Sequence, residues 1–120
     1  MAKERSYTAL DGSSITEVVH PRHDPQAQRL SLAEAVVEPG RSTYRHVHSQ
    51  TEEIYYTLEG HGQLHIEGEI LQMRPGDAHI IPPGAEHWVT ALPGQPLRFL
   101  CACSPPYSNE DTELTGPVEV

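Results

Sequence analysis

The chain has 120 residues, 37% hydrophobic and 21% charged, which gives room for one domain, read as 1–120, whose core needs no staples. A formal charge of −9, with only eight Lys and Arg scattered along the chain, argues against nucleic acid, which is gripped by clustered cations, and against anionic membranes. With no run of eighteen apolar residues and no apolar signal core in residues 1–7, the expectation is a cytoplasmic protein with no membrane partner.

Eleven prolines and nine glycines cut the chain into short pieces, which favours strands over helices. Taken in order, strands are expected at 15–19, 30–38, 43–48, 53–58, 62–66, 69–73, 79–81, 87–91 and 97–103. Residues 20–28 read as a surface loop, and everything from Ser104 onward as an extended arm. Pro39-Gly40, Pro75-Gly76 and Pro93-Gly94 each place Gly directly after Pro, as a type II turn requires. Turns recurring about every ten residues indicate a sandwich or barrel, and closure of the sheet would remove most exposed edges.

Two cysteines, Cys101 and Cys103, share one face of the last strand about 7 Å apart, an awkward geometry for a disulfide. Reduced thiols are expected, with a Cys-x-Cys metal pair as the weaker alternative.

Eight histidines make their placement informative. His46 and His48 flank Val47, so a strand projects both from one face, where two imidazoles can converge on one ion. In isolation the pair also fits a half-exposed strand with two surface histidines. His61 falls at a hairpin tip, and His20 and His23 in the loop.

Residues 40–60 read Gly-x5-His-x-His-x4-Glu-x6-Gly, and 76–87 read Gly-x5-Pro-x-Gly-x2-His. Together they resemble the two motifs of the cupin superfamily, in order and within 40–91. Ala91 departs from the pattern, which has Asn there; that affects a turn-stabilising side chain and no metal ligand.

The resemblance implies an all-β fold, a single cupin-type jelly-roll β-barrel with its core at about 28–103 and short N- and C-terminal extensions. It implies His46, His48, Glu53 and His87 as ligands of one divalent metal ion, Fe, Mn, Ni, Zn, Co or Cu, a donor set that needs no thiolate. Glu52 competes with Glu53; the spacing to Gly60 selects Glu53, and a tighter turn at 49–52 would exchange them. Octahedral binding leaves two positions open, whereas a tetrahedral zinc site is closed and structural.

Alternation along the strands points Tyr44, Tyr55 and Val89 inward and Trp88 outward. His65 and His79 are candidates to reach the interior, and Arg98, if inward, to clamp a carboxylate. No phosphate loop, His-Glu-x-x-His pattern or nucleophile elbow is present. The expected function is a small-molecule metalloenzyme of dioxygenase, decarboxylase or isomerase type, its catalytic residues unknown. The alternative is a non-catalytic ligand-binding or sensing protein; storage ranks last. A homodimer is expected by resemblance, with 15–19 and Trp88 compatible with its interface.

Overall fold

The computed structural model describes residues 5–116. Eleven strands follow one another: β1 (Ser6–Thr8), β2 (Ser14–Val19), β3 (Ser31–Val37), β4 (Arg45–His48), β5 (Glu52–Glu59), β6 (Gly62–Ile66), β7 (Glu69–Met73), β8 (Ala78–Ile81), β9 (His87–Ala91), β10 (Leu97–Ser104) and β11 (Thr112–Gly116). A 3-10 turn, Asn109–Asp111, precedes β11. No helix among the described residues is long and apolar enough to cross a membrane.

The strands form because their side chains alternate. In β5, Glu53, Tyr55 and Thr57 are buried while Glu52, Ile54 and Tyr56 are exposed. In β10, Leu97, Phe99, Cys101 and Cys103 turn inward. Each buried stripe needs an apolar face opposite, and two sheets supply it to each other.

One sheet has the order β1-β2-β3-β10-β5-β8 and the other β11-β4-β9-β6-β7. Both are antiparallel throughout. The jelly-roll architecture is as expected, but the two sheets do not close into one hydrogen-bonded barrel. The core between them is built on Val37, Leu64, Met73, Ile81, Val89, Leu97 and Phe99.

Two strands were not expected from the sequence. β1 pairs with β2, and β11, in the segment read as an arm, pairs with β4 so that Thr112 lies opposite His48 and Leu114 opposite His46. The tail thus forms the edge beside the histidine strand. Gly60, which ends the first motif, shows why that position is glycine: it has φ +82°, and a Cβ there would lie 2.2 Å from the Pro96 carbonyl oxygen.

Candidate metal centre

Strand parity places the histidines. In β4, His46 and His48 are buried and Val47 turns away. β9 runs antiparallel beside it with His87 directly opposite His46, and the two ring centroids are 4.3 Å apart. Ligating nitrogens of His46, His48 and His87 all lie within 4.8 Å of one another. Glu53 reaches in from the facing sheet, its Oε1 3.5 Å from Nε2 of both His48 and His87. Glu52, its competitor, is exposed.

The rings are held from behind. Nδ1 of His46 lies 2.8 Å from the Tyr44 carbonyl and Nδ1 of His87 lies 2.9 Å from the Ala85 carbonyl. A carbonyl only accepts, so both Nδ1 atoms carry the proton and both Nε2 atoms present a lone pair. His48 Nδ1 lies 3.1 Å from the Thr112 hydroxyl, which gives its one proton to the Ser108 carbonyl at 2.8 Å. That hydroxyl must accept from His48, so the third Nε2 is also a lone pair.

Three imidazole lone pairs and a carboxylate oxygen therefore converge with no donor among them. His87 Nε2 and Glu53 Oε1 are buried without a hydrogen-bond partner. Such a set attracts a cation. Burial would pull His87 down, but the Glu53 carboxylate outweighs it and raises the pKa. Burial would push Glu53 up, yet the imidazoles of His87 and His48 hold it below the usual carboxylate range. His46 is lowered, first by burial and then by His87. Neutral imidazole with carboxylate suits a divalent first-row metal ion, and the three histidines could hold one.

Cys103 Sγ donates to Glu53 Oε2 at 3.3 Å, leaving Oε1 for the centre. Burial and the Glu53 charge push this thiol far up, so it stays protonated. Both cysteines are free, as expected, and neither joins the histidine cluster.

Beside the centre lies a cavity of about 40 Å³, room for two or three waters or a small head group. Tyr55 and Phe99 form part of its wall, and Tyr7, Glu17, His20 and Tyr107 form a neck that opens on a vestibule of about 440 Å³. Glu17 is buried at the neck and ion-paired to Arg22 and to His23. His20 accepts from the Arg22 backbone and donates to the Tyr107 carbonyl. His20 and His23, read as plain loop residues, thus brace the entrance.

Some expected pocket residues lie elsewhere. Tyr44 is 48% exposed, because β4 begins at Arg45 and its alternation does not extend back. His65 faces outward, since Leu64 and Ile66 take the inner positions of β6; its ring stacks on Trp88 at 4.5 Å. Trp88 is outside, as expected, with the Arg45 guanidinium 5.9 Å from its ring. His79 lies opposite Tyr55 but on the edge strand β8, where Nε2 donates to the Gln72 carbonyl of the other sheet. Arg98 turns outward, because Leu97 and Phe99 take the inner face, and pairs with Glu34 and Glu59. Val89 points inward but belongs to the packed core.

Asp11 was not singled out by sequence. In the turn between β1 and β2, its Oδ1 accepts from Ser13 N and Oγ, which aims Oδ2 at the centre, 3.8 Å from His46 Nε2. Thr112, Tyr107 and Asp111 were also missed. All four lie outside the two motifs, and no local pattern marks them.

Two antiparallel sheets enclosing three convergent histidines define a jelly-roll protein with a metal-type site. The chain belongs to the cupin domain family, which matches residues 33–103. It is similar to an uncharacterized protein of Methanocaldococcus jannaschii, 42% identical over 93% of this chain and 89% of the relative. It is also 28% identical to the L-ectoine synthase of Desulfatibacillum aliphaticivorans, over 76% of this chain and 70% of that one. Among solved structures, the oxalate decarboxylase of Lactobacillus farciminis shares the fold with a TM-score of 0.79 at 22% identity. The match covers 92% of this chain and 33% of the decarboxylase, so this chain spans about a third of that protein's length.

Proposed function

We propose that the protein is a metal-dependent enzyme acting on a small molecule, with one divalent ion held by His46, His48, His87 and Glu53. The observation that carries this reading is the convergence of three imidazole lone pairs and one carboxylate oxygen, Glu53 Oε1, with no donor among them, next to a cavity that opens to a vestibule. A structural ion would need no such cavity. That named relatives and neighbours include a synthase and a decarboxylase supports turnover over passive binding.

The ion, when bound, supplies Lewis acidity toward an oxygen or nitrogen of the substrate. The protein's own groups do the rest. The Tyr44 and Ala85 carbonyls and the Thr112 hydroxyl fix the rings, and Cys103 fixes Glu53. Burial pushes the Tyr55 phenol well up, so it remains a neutral hydroxyl in the cavity wall. Asp11 offers an acceptor on the His46 side, and Phe99, Ile15 and Ala35 limit the water that can enter.

The test is metal content by plasma mass spectrometry on the purified protein and on H87A, with turnover of a small-molecule panel before and after chelation. One ion per chain, lost in H87A, and a turnover that chelation abolishes are expected. A wild-type protein that takes up no divalent metal sinks the reading. Stoichiometric metal without turnover of any compound moves it to a ligand-binding protein.

A further inference from the structure

We infer that the cavity selects a small non-anionic ligand that presents an O–H or N–H to Asp11, and that it rejects carboxylates. The inference deepens the proposed metalloenzyme and rests on that reading.

Charge is the first ground. Among the described residues that line the cavity, the formally charged side chains are the carboxylates of Asp11, Glu17 and Glu53, and no Lys or Arg joins them. Arg22 lies on the vestibule side and is bound to Glu17. Arg98, the candidate clamp for a carboxylate, is on the outer face. The two positive charges of a divalent ion are matched by Glu53 and Asp11, so an arriving anion finds no net attraction. It also meets Asp11 at the approach to His46. At an effective dielectric of about 20, a like charge about 4 Å away weakens binding on the order of a thousandfold.

Hydrogen-bonding capacity points the same way. The Ser13 hydroxyl donates to Asp11, the Tyr107 hydroxyl to Asn109 and the Thr112 hydroxyl to Ser108. Those three protons are committed away from the cavity. The remaining lining hydroxyls, on Tyr7, Ser31 and Tyr55, can accept as well as donate. His20 has both ring nitrogens engaged. Asp11 Oδ2 therefore offers an acceptor with no donor among the described residues, since His46 Nε2, 3.8 Å away, presents a lone pair. A ligand carrying a hydroxyl, amine or amide satisfies this wall, and a carboxylate adds one more acceptor to it. The buried, partnerless Glu53 Oε1 and His87 Nε2 mark where the ion would sit, so the ligand's other end is the one that faces the ion.

The experiment loads the protein with Co²⁺ and follows its visible bands during titration with ethylene glycol, ethanolamine, acetate and formate. Wild type is expected to respond to the diol and the amino alcohol and not to either carboxylate up to tens of millimolar. In D11N, which keeps an oxygen for Ser13 but places an amide donor toward the centre, acetate and formate should bind at least tenfold more tightly and ethanolamine at least tenfold more weakly. D11S, smaller and also uncharged, should show the same gain for acetate, which separates lost charge from a disturbed turn. The inference falls if acetate binds wild type as tightly as it binds both variants while the Co²⁺ bands are present. If no Co²⁺ bands form in wild type, the metal reading falls and takes the inference with it.

Discussion

At the residue scale, the arrangement of the centre is set by atoms outside it. Thr112 is the most telling, because its hydroxyl has one proton and gives it to Ser108, which obliges it to accept from His48. Replacing Thr112 by Val keeps the shape, removes the acceptor and frees His48 to move its proton to Nε2, where it would block a ligand. Loss of such a supporting contact weakens metal binding by roughly 10- to 100-fold. Competition against a chromophoric chelator should show that loss in T112V and near wild-type affinity in T112S. Folding stability should drop by only about 1 kcal/mol, the ordinary worth of a hydrogen bond. Equal affinities for T112V and wild type would mean that the ring is oriented by packing alone.

At the element scale, the tail closes the site. Asp111 accepts from the Ser49 and Thr51 hydroxyls and from the backbone of Gln50 and Thr51, so its carboxylate clips the turn between the His46–His48 strand and the Glu53 strand. Asp111→Ala should cost about 1–2 kcal/mol in urea unfolding, less than the sum of its bonds because the freed donors reach water. It should also weaken metal binding, since the turn sets the distance between β4 and β5; D111N should fall between the two. None of this was legible in the sequence, where residues 104–120 are polar and read as an arm. Short, half-exposed strands such as β1 and β11 carry no buried alternation to detect. Where the interior was continuous, the sequence sufficed: the spacing to Gly60 chose Glu53 over Glu52, and parity from Glu53 placed Tyr55 inward. It failed for Tyr44, which lies before its strand begins, and could not settle His65 or Arg98, whose faces depend on which neighbours take the core. His79 had the right face, but an edge strand leaves it outside the cavity.

At the scale of the whole molecule, two sheets with no strand pairing between them are joined by packing and by the centre, which takes its histidines from one sheet and Glu53 from the other. A bound ion then acts as a cross-link: at a thousandfold excess over Kd it stabilises the folded state by about 4 kcal/mol. Thermal unfolding should move up on the order of 10–20 °C with metal and return on chelation. Acid acts through carboxylates outside the metal-ligating set. The Arg5 guanidinium, through two hydrogen bonds, and the His20 backbone N–H hold the Asp24 carboxyl at about 2. Arg74 lowers Asp77, and Asp111 is lowered too, its hydroxyl and backbone donors outweighing burial. A carboxyl whose folded pKa lies below its unfolded value of about 3.9 adds stability that is complete above that value and is lost as pH falls through the folded one. Stability should therefore decline between about pH 4 and pH 2, a window whose lower end is set by Asp24. Because Asp24 ties β1's approach to the loop after β2, D24N removes part of that dependence. Its urea midpoint should be lower than wild type at pH 6 and converge toward it near pH 2. Parallel curves for the two proteins across that range would show that Asp24 contributes no proton linkage.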